Sequence, residues 1–512
     1  NSQSSAHLAS GQSITTPGAV TIEAIGDADS RVTADASNVA GAGVGVAVAM
    51  NMANHATTAI VDGVVNSGGL AIHALAPSTP AESHSDLLAT AISGAGARDV
   101  GVAGAFAANF SNMKSQALLN VSAAETATGI VDIRSQLFTR PEAVASSNTQ
   151  AANGADGNGG NVGVGLSIAI NILGNESTAA IPNNVAVTGG RDVTISAQGE
   201  NLAKTWAISG SAQGSVGITP ALALLVAEDH TAATLGTGGS LDIAGAFTLS
   251  AQHKVTGDTK SDAGINGAND VGVGAAIALN IVEDTADAEP ARNLRTGGDI
   301  TVSADLVADV QAATVASTQG VSPGHGHSAG PSTADGQVAS MTKFANHESG
   351  ASTNAPQVIK ANGGGGAEQS VGVAAALAVN VINGHARASL PATISVNSGR
   401  GVAVLSAMDV DGKATADGST AHQATGIGVA VALNVITADN TALILTPVTA
   451  RGRSRSRPRC LPRAMASIPS LRSPTQAAVR RISALRARSP SRSLTCRPRR
   501  KSWHRSMPVA AW

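Results

Sequence analysis

The sequence predicts an all-β fold: an elongated, parallel β-helix-like β-solenoid of repeats of about 55 residues, followed by a disordered basic C-terminal tail. Three observations predict it. An alternating motif recurs seven times, and a second alternating motif follows it within the unit. Aromatic residues make up only 2% of the chain, with no Tyr, while Gly numbers 57. Self-similarity at a fixed period marks a repeat architecture. A core with so few aromatics has to be thin and regular, which suits a solenoid, where stability accumulates from each repeat and its neighbours.

The first motif is clearest at residues 270–281 (DVGVGAAIALNI) and 161–172 (NVGVGLSIAINI). Its copies are anchored on Gly43, Gly101, Gly163, Gly217, Gly272, Gly372 and Gly426, at intervals of 58, 62, 54, 55, 100 and 54 residues. Asn follows eight residues after the Gly at 51, 109, 171, 280, 380 and 434; the fourth copy has Leu225 there. Val271, Val273, Ile277, Leu279 and Ile281 share one parity, and Gly272, Gly274, Ala276, Ala278 and Asn280 share the other. Period two is the strand signature, and Gly in a helix costs about 1 kcal/mol relative to Ala. The large parity is expected to face the core. The small parity would then let another layer approach from outside.

The second motif is GGDITVSA at 297–304, recurring as GGRDVTISA at 189–197. Its apolar residues alternate with Thr and Ser, so one face is buried and the other, including Thr301, is wet. The Gly pair is read as a turn that needs positive φ. Pro182, Pro290 and Pro391 fall between the two strands, as suits a residue without a donor. A polar stretch such as 252–258 is read as the connection to the next unit. Two coil geometries fit: three rungs of about 18 residues, or one wide coil per unit. The Asn column favours the wide coil. An Asn ladder needs neighbours ~4.8 Å apart, whereas three rungs would separate them by roughly 14 Å.

These readings divide the chain into a partial leading segment (1–13), solenoid (14–319), a Gly/Ser/His-rich insertion or degenerate repeat (320–366), solenoid (367–450) and the tail (451–512). The tail holds 17 of the 33 Lys and Arg and no acid, leaving a body with 16 basic against 35 acidic residues. No nucleic acid is expected to bind so acidic a body. Cys460 and Cys496 both lie in the tail. The repeat breaks off in mid-unit at Arg451. The Arg-rich run is read either as an arm for nucleic acid or as translation out of frame, which the abrupt break favours. Either way it is expected to be disordered and to pack nowhere on the solenoid. The chain opens Asn1-Ser2-Gln3 and is expected to be a fragment of a longer polypeptide. No run reaches the ~20 apolar residues of a spanning helix.

The sequence VGVGAAIALNIV at 271–282, paired with GGDITVSA at 297–304, resembles the repeats of large bacterial filamentous adhesins, of the leukotoxin-type and filamentous-haemagglutinin-like kinds. The resemblance spans roughly residues 14 to 445. It implies a β-helical, type V-secreted protein of the bacterial cell surface, with a glycan or protein on a host or neighbouring cell as partner. It carries no catalytic, cofactor or metal residues across.

Several local features invite chemistry. Residues 154–161 (GADGNGGN) resemble a single calcium-binding nonapeptide, but those sites work in tandem, so a flexible turn is expected. The pairs Glu228-Asp229, Glu283-Asp284, Asn175-Glu176 and Asp439-Asn440 follow the first strand. Stacked, they would form a cation-attracting column; a solvated strand end is the simpler reading. Residues 324–327 (GHGH) offer two His without further ligands. The sequons at Asn109, Asn120 and Asn175 are expected to be chance in a Ser-rich chain. No catalytic, cofactor or metal residue is therefore assigned, and the expected function is a structural, adhesive stalk without catalysis or cofactor. Two other classes compete. A membrane β-barrel would need aromatic girdles, and a β-helical polysaccharide-acting enzyme would need convergent carboxylates with a base or metal.

Overall fold

A computed structural model describes residues 2–37, 43–76, 84–97, 100–120, 125–151, 162–320, 371–421, 425–451 and 454–467. Among them every regular element is a strand and every strand pairing is parallel. The architecture is a prism of stacked coils with a flattened triangular section. One coil illustrates it. Phe247–Pro290 runs along one long face, bends near residue 268, and returns along a second long face. Leu294–Thr296 closes a third, short face, and Ile300–Gly320 starts the next coil.

Each repeat is therefore one wide coil, not three rungs. Val271 pairs with Val216 in the preceding coil and Val371 in the next, and Asn280 pairs with Asn380. The Asn column forms a ladder. Asn51 Nδ2 donates to Asn109 Oδ1 (3.0 Å), and Asn109 to Asn171 (2.9 Å). After the interruption at Leu225, Asn280 donates to Asn380 (2.7 Å) and Asn380 to Asn434 (2.8 Å). Asn51, Asn109, Asn171, Asn280 and Asn380 are buried, and the ladder together with carbonyls of the facing strand, such as Gln311 O for Asn280, satisfies them.

The 100-residue interval is resolved in the same way. Val371–Leu390 pairs with residues 271–288, while Val402–Ala421 pairs with Ile300–Gly320. The long segment is thus an insertion within one coil, and no coil is lost; residues 321–370 lie outside the described residues. It leaves at the corner between the two long faces. Register shifts near residues 214–216 and 266–268 fall at this corner too.

The second motif faces as expected. Ile300, Val302 and Ala304 are buried and Thr301 is half-exposed. The polar stretch beyond it is not a connection but the continuation of the same strand. Gln252 and Lys254 are exposed while His253 and Val255 are buried, so this long face is polar outside. The first motif is inverted relative to expectation. Gly272, Gly274, Ala276, Ala278 and Asn280 face inward, whereas Val271, Ile277 and Ile281 are exposed and Val273 and Leu279 half-exposed. The reason is the wedge-shaped section. Near the corner the two long faces converge, and mainly small side chains (Gly, Ala, Ser and Thr) fit between them, with Ile265 accommodated only where Gly217 faces it. The buried apolar cluster there is made entirely of Ala, including Ala49, Ala107, Ala223 and Ala278. Toward the short face the gap widens and fills with Phe247, Leu249, Leu294, Ile300 and their counterparts.

The Gly pairs serve mainly close approach between coils. A Cβ at Gly297 would stand 2.1 Å from the Ala244 carbonyl oxygen, although Gly190 does take positive φ (87°). Pro290 ends its strand, and Pro182 and Pro391 follow theirs directly. Sequence reading missed the short strand between Pro and the Gly pair, as at Leu294–Thr296 and Val396–Ser398. The tail also departs from expectation. The backbone of Ser454–Ser467 pairs in parallel with residues 402–415, because the last coil presents an open edge of N–H and C=O groups that an extended chain can satisfy. Residues 468–512 lie outside the described residues.

Candidate functional site

Two features of this prism have chemistry to offer, one outside and one inside. The outer surface of the second long face is a flat array of aliphatic columns. Val44, Val102, Val164, Ile218, Val273, Val373 and Ile427 form one column by direct register. Ile277 and Leu377 belong to another, 39% and 36% exposed. At the first full strand of this face Val46 and Met52 reach 62% and 81% exposure. Parallel stacking of identical repeats produces the array: a residue type repeated once per coil becomes a column. Contiguous apolar surface of this kind marks an interaction face.

The opposite long face carries charge instead. His73 bridges three coils, 2.9 Å from Asp132 and 3.4 Å from Glu23. Its hydrogen bond to Asp132 raises the His73 pKa and holds the Asp132 carboxyl low. Trp206 donates to Asp258 (3.2 Å) and lies under the ammonium groups of Lys204 and Lys260, 3.9 and 4.5 Å from its ring centre.

Inside, at the boundary between the alanine wedge and the aliphatic end, sits a polar cluster. Read as sequence, Glu228-Asp229 and Glu283-Asp284 are solvated strand ends. In the fold Glu283 is exposed, but Asp229 and Asp284 are buried, because their parity is the inward one. They are direct neighbours in register, and His253 reaches them from the facing strand. His253 Nε2 is 3.5 Å from Asp284 and 3.8 Å from Asp229. Asp229 accepts from Asn201 Nδ2 (2.9 Å) and from the Asn175 backbone N–H (3.1 Å). The other ring nitrogen of His253 contacts Thr231 Oγ1 (3.0 Å). A Cβ at Gly199 would stand 2.6 Å from both partners of that contact, so Gly there makes the room.

The cluster is short of partners. Among the described residues, His253 Nε2 and both carboxylate oxygens of Asp284 find no hydrogen bond. Burial pushes the Asp229 carboxyl up to about 6, with His253 opposing and Asp284 adding to the rise. For His253 burial works against the charged ring, but Asp284, Asp229 and Glu200 outweigh it and raise its pKa.

The other candidate residues are dispersed. Asn175 is buried beside the cluster and accepts from Ser111 (3.1 Å), while Glu176 pairs outside with Lys114 (3.1 Å). Asp439 is exposed and Asn440 lies on the inward parity, against Ser406. The sequon residues Asn109 and Asn175 are buried, while Asn120 is exposed and donates to Asp62 (2.8 Å). Residues 154–161 and 324–327 lie outside the described residues. Sequence reasoning missed His253 because the stretch around it reads as polar. The available signal was the alternation of Gln252 and Lys254 with His253 and Val255.

No helix among the described residues is long and apolar enough to cross a membrane. No family model matches this chain, and no curated protein or solved structure shows a significant similarity to it.

Proposed function

We propose that this chain is a structural and adhesive segment of the stalk of a large secreted bacterial surface protein, without catalysis of its own. The observation that carries the reading is the aliphatic outer face, continuous over successive coils on an elongated rigid body. A rod that only separated two ends would do better with a polar surface, because exposed aliphatic area is an association liability. The columns are mostly Val, Ile and Leu, with Met52 and the rings of Phe106 and Phe110 confined to the low-numbered end, and they lack the dense polar groups that bind sugars. The face therefore suits an apolar protein surface on a host or neighbouring cell rather than a glycan. The sequence resemblance to filamentous adhesins supports the extracellular location.

A polysaccharide-acting enzyme is the weaker reading. Its carboxylates would have to converge on an outer groove, whereas the Asp-His-Asp cluster points into the core. The membrane-barrel reading conflicts with parallel pairing throughout the described residues, since outer-membrane barrels are antiparallel.

The test is adhesion of the purified chain to immobilised cell-surface proteins and to a glycan array. Binding to proteins is expected, and the double substitution Val273→Asp, Ile277→Asp should abolish it while leaving the melting transition in place. Unchanged adhesion in that variant, or binding confined to glycans, would refute the role given to this face.

A further inference from the structure

We propose that Asp229, His253 and Asp284 form a binding site for a divalent first-row metal ion of the zinc type, buried between two successive coils. The three side chains each offer a ligand atom, and these atoms lie within 4.8 Å of one another. The separations from His253 Nε2, 3.5 and 3.8 Å, are close to the roughly 3.4 Å between neighbouring ligands on a tetrahedral ion with bonds of about 2.1 Å. Two carboxylates and one imidazole suit zinc or a neighbouring first-row ion. Calcium would demand about six to eight oxygens at longer range, more than this cluster supplies.

The unpaired atoms are the second, independent observation. Asp284 is 1% exposed, yet neither carboxylate oxygen is hydrogen-bonded, and the buried Nε2 of His253 likewise has no hydrogen bond, only its loose ion-pair contacts with the two carboxylates. Groups of this kind in a low-dielectric interior carry a heavy desolvation cost unless a cation compensates them. A divalent ion would neutralise both carboxylates and occupy the imidazole lone pair. The surrounding contacts are those a metal site needs in its outer layer. Thr231 orients the ring through Nδ1, leaving Nε2 directed inward, and Asn201 with the Asn175 N–H orients Asp229. A small cleft lined by Gly199, Glu200 and His230, among others, adjoins the cluster.

The ligands come from two coils. Asp229 belongs to Val193–Leu235, while His253 and Asp284 belong to Phe247–Pro290. A bound ion would therefore staple adjacent coils near the level where Leu225 interrupts the Asn ladder. Asp229 and Leu225 lie on the same inward parity of one strand.

The full chain, stripped with chelator and dialysed against Zn²⁺ at about pH 7.5, is expected to retain about one ion per chain and to melt at higher temperature than the stripped protein. Replacing Zn²⁺ by Co²⁺ should give visible absorption bands of a nitrogen- and oxygen-ligated ion. Asp284→Asn and His253→Gln should each lose the ion, whereas Glu283→Gln, on the outer surface beside Asp284, should keep it. Should either variant fail to fold, the wild-type chain decides. Zero retained metal, with chelator leaving the melting transition unmoved, would overturn the proposal and leave a cluster neutralised by protons alone. Retention undiminished in folded Asp284→Asn and His253→Gln would overturn it equally.

Discussion

The two ends of the coil's cross-section follow opposite packing rules. At the short face the two long sheets stand apart, and Phe247, Leu249, Ile300 and Leu294 fill the gap. At the opposite corner they converge, and the buried apolar cluster is all alanine, with Ile265 fitted in against Gly217. One strand, from 271 to 290, runs from the narrow end to the wide end without changing its alternation. What changes is which parity is worth burying. At the wide end, burial removes large aliphatic side chains from water. At the narrow end, close approach of two sheets excludes most large side chains, and these are left outside. Hydrophobicity alone therefore does not tell inside from outside; residue size relative to the local sheet separation does.

The contrast is tested most directly by two substitutions at adjacent positions. Ala278→Asp places an unpaired charge in the wedge and is expected to cost at least about 4 kcal/mol. Ile277→Asp, at a site 39% exposed, should cost under about 1 kcal/mol. Urea titrations of both variants measure the difference, and a larger loss for Ile277→Asp would reverse the facing. Next comes the wide end. Phe247→Ala opens a cavity in a fully buried position and is expected to cost about 3 kcal/mol. An equal loss from an alanine-to-glycine change in the wedge, such as Ala223→Gly, would erase the distinction between thick and thin compartments.

How far this was legible in the sequence follows from the same two rules. Strand, repeat length and the axial stacking of Asn were readable, because period two and a column of amides at near-constant spacing fit stacked strands and little else. The facing of 300–304 was readable too, since Ile, Val and Ala alternate there with Thr and Ser. The facing of 271–281 was not, because both parities are apolar and the choice depends on a sheet separation that no single strand encodes. The clue was the near-exclusive Gly, Ala and Asn content of one parity. Asp229 and Asp284 were misplaced for the same reason, as Asp284 inherits the parity of Ala278 and Asn280, and Asp229 that of their counterparts one coil back. His253 was hidden because its partners lie in other strands, and pairing across the wedge is set by the coil's width.

A smaller effect concerns Leu225 and the residue that makes room for it. A Cβ at Gly257 would stand 2.8 Å from Leu225 Cδ2. Gly257→Ala should destabilise the wild type by about 1 kcal/mol, and less in a Leu225→Asn background. A double-mutant cycle reads the coupling, and strict additivity would show that the two positions do not share space.

The smallest effect belongs to the polar face. The His73 bridge to Asp132 has a raised imidazole pKa and a lowered carboxyl pKa. The His73 part of its stabilisation is fully present below the unfolded value near about 6.5 and fades as pH rises through the raised folded value. The Asp132 part is present above the unfolded value near about 3.9 and fades as pH falls through the lowered folded value. The stability difference between wild type and His73→Gln should thus be largest between about pH 4 and 6.5 and shrink above that, staying under about 1 kcal/mol throughout. A difference that grows as pH rises above about 6.5 would contradict the ion pair.

The Asn ladder gives the rod an electrical direction. Its amide-to-amide bonds all donate toward the higher-numbered coil: Asn51 to Asn109, Asn109 to Asn171, Asn280 to Asn380, Asn380 to Asn434. The backbone dipoles of a sheet largely cancel, but these amides point one way, and hydrogen-bonded amides polarise one another along a chain. Each run of Asn is therefore a small linear dipole, and Leu225 separates the two runs like a break in a wire. The two ends of the row are in consequence chemically unlike, one calling for a donor and the other for an acceptor. Near Asn51 the row ends on a carbonyl, capped by the Ser30 hydroxyl, and near Asn434 on an amine, capped by the Gly412 carbonyl.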